Sequence, residues 1–270
     1  MKRLFIVSLF IGLVAANTWS KDMRIIVPYV GTYSETREVD QAGEIDDTGL
    51  FTGLYFQWIN PESYQWNAFA YYVPDVNYAS TLGGHFIFDK YFGHSPSGKF
   101  LVGAGLEALR VTMDAGGEFD TPPVEIDEFD MSMTLLIPYA RFGKYFTAKA
   151  GPADFSALPW IGIQPQWLWG DLEMKGTMPF PPFAFSEETS LDDSALYWIA
   201  GLNLKVTLYH FIDLEAKYQA TFDDADYFNT WSGLANVYLN RSWGLSYRLK
   251  LMETGQGDSF QHYVGVAYVF

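Results

Sequence analysis

Residues 260–270 read Phe260-Gln261-His262-Tyr263-Val264-Gly265-Val266-Ala267-Tyr268-Val269-Phe270. The even positions, Phe260, His262, Val264, Val266, Tyr268 and Phe270, are mostly apolar. The odd ones, Gln261, Tyr263, Gly265, Ala267 and Val269, are smaller or more polar on balance. A strand turns alternate side chains to opposite faces, so this segment has one greasy face and one mixed face. In water, an aromatic-rich strand at the end of a chain leaves an open edge and an apolar patch, and both invite aggregation. A barrel closed in lipid removes both problems at once.

The ending resembles the C-terminal insertion signal of Gram-negative outer-membrane β-barrel proteins: a glycine, then two aromatics, the second being the last residue. Those positions are Gly265, Tyr268 and Phe270. The resemblance implies an integral outer-membrane protein whose last strand is read by the outer-membrane barrel assembly machinery. Outer-membrane lipid is then its solvent. The motif covers the final strand and singles out no narrower family.

The other terminus agrees. Met1-Lys2-Arg3 is a basic start, followed at 4–16 by an apolar run broken only by Ser8 and Gly12. These are the charged region and apolar core of a secretory signal peptide. A run of about thirteen residues falls short of the roughly 20 that span a bilayer as a helix. The segment 1–16 therefore reads as a cleaved signal, with Val14 and Ala16 before the cut and a site near Ser20 as the alternative. Residues 17–270 form a single barrel domain with no linker or low-complexity tract. Hydrophobic residues make up 49% and aromatics 18% of the chain, with no later run long enough for a spanning helix. High apolar content without long runs is what alternating strands produce. Cysteine is absent, which excludes a thiol nucleophile, a zinc–thiolate site and a disulfide scaffold.

The clearest strands lie in the C-terminal half. Trp243, Leu245, Tyr247, Leu249 and Leu251 alternate with Ser242, Gly244, Ser246, Arg248 and Lys250. Ile212, Leu214, Ala216, Tyr218, Ala220 and Phe222 alternate with Asp213, Glu215, Lys217, Gln219 and Thr221. Leu196, Trp198, Ala200, Leu202, Leu204, Val206 and Leu208 face away from Asn203, Lys205 and Thr207. Each keeps period two over about ten residues, the length of a tilted spanning strand. Weaker strands fall at 24–33, 48–59, 63–73, 79–92, 98–110, 131–142, 158–170 and 230–240, and Phe69, Tyr71 and Tyr72 spoil the alternation of 63–73. With the last strand these predict an all-β, antiparallel, up-and-down transmembrane barrel of about twelve strands, ten or fourteen being the alternatives.

The connections sort by length. Outer loops are predicted near 34–47, 74–78, 111–130, 171–193, 223–229 and 253–259. Inner turns are predicted at Asn60-Pro61-Glu62, 92–97, 143–157, Tyr209-His210-Phe211 and Asn240-Arg241. Long outside and short inside is the habit of such barrels, and it places both termini in the periplasm. Most of the 32 carboxylates sit in the outer loops, with Arg37 and Lys175 as their basic partners. Such loops repel polyanions, so nucleic acid is not an expected partner. Asp46-Asp47, Asp127-Glu128-Asp130 and Asp223-Asp224-Asp226 lack the glycine and terminal glutamate of a calcium loop, and a solvated acidic surface accounts for them.

The expected inward face carries Asp89, Glu107, Gln164, Gln166, Lys205, Asp213, Glu215, Lys217, Arg248 and Lys250, with His85 among them. Eight strands fill with side chains and sixteen leave an open pore, so twelve lies between. These residues either pair and plug the barrel or line a narrow passage for small polar solutes or ions, the second being preferred. The alternative is a closed-lumen structural or surface-interaction barrel working through its acidic outer loops, with an outer-membrane hydrolase ranked below it. Trp58, Tyr72, Tyr91, Trp169, Trp198, Trp231 and Trp243 are expected at interfacial girdles.

No catalytic site, metal site or cofactor motif emerges. Gly93-His94-Ser95-Pro96-Ser97-Gly98 comes nearest to a nucleophile elbow but has Ser97 where the second glycine belongs. It reads as a turn. His85, His210 and His262 are isolated, and Gly103 and Gly105 lack the third glycine of a phosphate loop. The chain is expected not to be an enzyme.

Overall fold

In lipid, a strand's backbone donors and acceptors must all be met by neighbouring strands, and only a closed ring of strands achieves this. The computed structural model is such a ring. It describes residues 22–39, 43–60, 63–76, 79–95, 98–115, 125–179, 182–209, 211–223, 227–254 and 257–270. The signal-peptide reading of 1–16 lies outside the described residues.

The strands are β1 (Met23–Val39), β2 (Gly43–Asn60), β3 (Tyr64–Val76), β4 (Ala79–Ser95), β5 (Gly98–Ala115) and β6 (Glu125–Ala150), followed by β7 (Ala153–Pro179), β8 (Pro182–Leu208), β9 (Ile212–Phe222), β10 (Tyr227–Tyr238), β11 (Trp243–Thr254) and β12 (Gly257–Val269). Each pairs antiparallel with the next, and β12 returns to β1 to close the barrel. The twelve-stranded antiparallel barrel read from the sequence is the fold.

Strand lengths depart from the expectation. β9 to β12 run 11 to 13 residues, but β6, β7 and β8 run 26, 27 and 27. A tilted spanning strand needs about ten residues, so these three project well beyond the wall. Much of what the sequence assigns to loops at 34–47, 111–130, 171–193 and 253–259 is therefore paired strand, as is much of the inner connection at 143–157. Arg37 pairs with Ile45, Asp114 with Asp130, Glu173 with Glu188, Thr254 with Gly257 and Lys149 with Asp154. The sorting into long outer loops and short inner turns is corrected accordingly: projecting hairpins, not long loops, distinguish the two ends. A hairpin standing in water buries neither face, so it loses the apolar–polar alternation while keeping its ladder.

Short turns join the strands at the end that holds the termini. Asn60 Oδ1 accepts from the Ser63 backbone and hydroxyl at 3.1 and 3.0 Å. Asn240 Oδ1 accepts from the backbone N–H groups of Ser242 and Trp243, both at 2.9 Å. Both are side-chain mimics of a backbone turn. Asp22 is held at this end by Trp58 Nε1, Asn60 Nδ2 and the Tyr64 hydroxyl, at 2.9, 2.8 and 3.1 Å.

The outer surface is a belt of exposed apolar side chains, among them Leu82, Phe86, Phe100, Val102, Ile161, Leu196, Leu245, Val264 and Val266. A soluble monomer rarely exposes an apolar patch of more than a few hundred Å², whereas lipid requires one. Tyr72, Trp169, Trp198, Trp231 and Trp243 stand on this surface, and Trp58 lies under the Arg24 guanidinium at 4.2 Å. Tyr91 does not join them. It packs inside, 5.9 Å from the Tyr145 ring, with its hydroxyl donating to Gln65 at 3.4 Å. An aromatic at a strand end satisfies a girdle pattern on either face, so only the strand's parity separates the two.

Candidate functional site

The interior is built by alternate residues of every strand, and it divides into unlike halves. On β12, β1, β2 and β3 the inward residues are mainly apolar or aromatic, with Asn67, Ser259 and Gln261 as buried polar members: Ile25, Val27, Tyr29, Phe51, Tyr55, Phe69, Val73, Tyr263 and Ala267 form one buried cluster. Phe51 stacks on Tyr263 at 4.7 Å, on Tyr71 at 5.3 Å and on Phe69 at 5.9 Å, while Tyr29 meets Tyr263 edge-on at 4.9 Å. Each such pair contributes about 0.5–1.5 kcal/mol beyond the area it buries. Phe69 and Tyr71, which break the alternation of 63–73, do so because both faces of β3 are apolar. A second cluster, Leu101, Leu158, Trp160 and Ile199, lies on β5, β7 and β8.

The rest of the interior is polar and charged. All ten residues expected to face inward share the parity of this surface, but they are not one group. Asp89 is buried and accepts two bonds from Arg141, Nε to Oδ1 at 3.1 Å and Nη2 to Oδ2 at 2.7 Å. Such a fork is the strongest geometry available to an Arg–carboxylate pair. Arg141 also lies 5.3 Å from the Trp160 ring, whose Nε1 donates to Asn203 at 3.1 Å. The sequence reading missed Arg141; its single inward charge between the outward Ala140 and Phe142 was the available signal. Gln164 accepts from Gln219 at 3.4 Å. Gln166 sits on β7 opposite Ala195, and Glu107 lies near Tyr71 and Tyr139.

The others converge. Lys205 on β8 bonds Asp213 on β9 at 3.0 Å, and Asp213 also accepts from Thr207 at 2.6 Å and Tyr238 at 3.4 Å. Lys217 pairs with Glu215 at 2.9 Å. Glu215 lies within electrostatic reach of Lys205 and Arg248 as well. Arg248 on β11 lays its guanidinium 3.7 Å over the Tyr55 ring and 5.3 Å from Tyr29, which in turn bonds Ser246 at 2.6 Å. Lys250 follows on the same strand, and His85 faces Lys250, Arg248 and Lys217 from β4.

At the end holding the termini, a recess of about 500 Å³ opens inside the strands, lined by Tyr145, Thr147, Lys149, Asp154, Lys205 and Thr207 among others. It reaches from the solvent to Lys205. On the projecting hairpins, Lys175 bonds both Glu128 and Glu173 at 2.8 Å. Its ammonium holds the Glu128 carboxyl below the usual range. Among the described residues no three His, Asp or Glu side chains are grouped as a metal site. Ser95 ends β4, and Pro96 and Ser97 lie outside the described residues.

No protein-family model matches the sequence, and no curated protein does. Among solved structures, the translocator domain of the autotransporter NalP from Neisseria meningitidis is similar, with a TM-score of 0.58 at 18% identity over 99% of this chain and 94% of that one. The chain has the fold of the outer-membrane β-barrels. The TodX monoaromatic hydrocarbon channel, as a deltaS2 mutant, gives a TM-score of 0.51 at 8% identity, covering 93% of this barrel and 90% of that chain. At such identities the likeness is one of fold.

Proposed function

We propose that this barrel is a narrow, water-filled passage through the outer membrane for small polar solutes or ions. The observation that carries the reading is Lys217. It sits midway along β9, on the inner face, and its side chain is 46% exposed while its partner Glu215 is 20% exposed. A charged group in mid-barrel that keeps nearly half its surface accessible needs water inside. The recess at the termini end leads from solvent towards the same wall through Lys205. The aromatic half of the interior keeps the passage narrow.

Folded protein in planar bilayers is expected to give discrete current steps smaller than those of a sixteen-stranded pore in the same salt. Electrical silence of protein that is demonstrably folded by heat-modifiable mobility overturns the reading. It would favour a closed barrel working through its acidic hairpins, a reading that draws on the complete burial of Phe51 and Leu101 inside the barrel. In either case the expected surroundings are outer-membrane lipid, reached through the barrel assembly machinery. Catalysis is not part of the proposal, and alanine at Ser95 is expected to leave conductance unchanged.

A further inference from the structure

We propose that the inner wall formed by β8, β9 and β11 binds small oxyanions, carboxylates or phosphates, and makes the passage anion-selective although the chain's formal net charge is −15. The proposal rests on the passage reading above.

The charge count on this wall is uneven. Lys205, Lys217, Arg248 and Lys250 face two carboxylates, Asp213 and Glu215. Two ion pairs, Lys205–Asp213 and Lys217–Glu215, use both carboxylates. Arg248 and Lys250 make no ion pair among the described residues. Elsewhere on the inner face Asp89 is consumed by Arg141, and Glu107 is set near Tyr71 and Tyr139. His85 and Tyr91 approach the wall from β4, and Tyr29, Tyr55 and Tyr263 surround Arg248.

Arg248 supplies a second, independent observation. Its Nε is buried and has no hydrogen-bond partner, a donor the protein itself leaves unmet. An unmet buried donor is costly, and a bound oxyanion removes that cost. Stacking on the Tyr55 face and hydrogen bonds to the tyrosines around it fix the guanidinium plane, so the donor left for an oxyanion is Nε, a single charge-assisted hydrogen bond. The acidic hairpins do not reverse this. At physiological ionic strength, charges more than about 8 Å away through solvent are largely screened, whereas cations inside a low-dielectric wall are focused on whatever passes them.

The test is the reversal potential of folded protein in planar bilayers under a potassium chloride gradient, with inorganic phosphate added as a blocker. Wild type is expected to reverse toward the chloride potential, and phosphate is expected to reduce the chloride current. Lys250→Gln and Arg248→Gln should each move the reversal toward the potassium side, and Arg248→Gln should weaken phosphate block about tenfold, the loss of one charge-assisted hydrogen bond. If Arg248→Gln does not fold, Lys250→Gln decides: an unchanged reversal potential overturns the proposal. A wild-type barrel that conducts but prefers potassium overturns the proposal and leaves the passage standing. Silence overturns the passage and the proposal together.

Discussion

The backbones of Arg24 and Phe270 exchange two hydrogen bonds, Arg24 N–H to the Phe270 oxygen at 3.2 Å and Phe270 N–H to the Arg24 oxygen at 3.0 Å. The last residue of the chain is thus a rung of the ladder that closes the barrel. Its ring stacks on Tyr268 at 5.7 Å, and Tyr268 packs on Trp243 at 4.8 Å. Phe270→Asp keeps the rung and changes one outward side chain near the membrane edge, where an acidic residue costs about 1 kcal/mol or less. We expect its amount in the outer membrane to fall several-fold, more than that stability loss explains, while refolding into detergent stays near wild type. Wild-type amounts in outer-membrane fractions would contradict the insertion-signal reading.

Gly265 lies opposite Tyr29 in the β1–β12 ladder, and a Cβ there would collide with the Pro28 carbonyl oxygen. Gly105 faces Tyr139 in the same manner, but a Cβ there meets the far end of the tyrosine ring. Backbone gives way less readily than a side-chain tip. Gly265→Ala is therefore expected to lose about 1–3 kcal/mol by urea unfolding, and Gly105→Ala less. Equal losses would show that the strands shift freely at both places.

The Arg141–Asp89 pair is almost fully enclosed, with side-chain exposures of 10% and 3%. Removing one partner strands the other charge, so Asp89→Asn should destabilise the barrel by about 3–5 kcal/mol. The double change Arg141→Met, Asp89→Leu should recover most of that loss, since apolar replacements of a buried pair are often neutral. A double variant as unstable as the single one would mean the pair is structurally irreplaceable, contrary to expectation.

On the projecting hairpins, the Lys175 hydrogen bond and charge hold Glu128 below the usual carboxylate range. A depressed carboxyl contributes its stability above the ordinary range and loses it as pH falls through the lowered value. Lys175 is held above its own range by its bonds to Glu128 and Glu173, so its share is complete below the ordinary lysine pKa. The contact is thus intact at neutral pH and fails toward acid. Lys175→Gln should move the Glu128 titration upward, the hydrogen bond with Asp130 remaining, as read by carboxyl-carbon NMR; an unchanged titration would refute the assignment.

Sequence alternation located all twelve strands, most clearly β8, β9 and β11, whose lysines, acids or small polar residues point inward and whose leucines and tryptophans point outward. It failed to orient β1, β2 and β3, where Ile25, Val27, Phe51 and Phe69 make the inner face as apolar as the outer one. The same fact hid the stacked aromatic half of the interior, whereas Tyr91 on β4 was misplaced because it stands at a strand end although it shares the parity of Asp89. Projecting strands such as 171–179 carry no amphipathic signal, so they read as loops. The convergence of Lys205, Glu215, Lys217 and Arg248 depends on which strands lie side by side, and parity alone does not report that.

The most direct test of a wet half beside a dry half uses the absence of cysteine in the chain. Single cysteines at Lys217 and Phe51 can be probed in the folded, membrane-inserted barrel with a small, charged, membrane-impermeant methanethiosulfonate reagent. Lys217→Cys is predicted to react within seconds to minutes and to change the bilayer current, because a water-accessible thiolate is the reacting form. Phe51→Cys is predicted to stay inert until the barrel is denatured. An inert Lys217→Cys in a folded barrel would contradict the account.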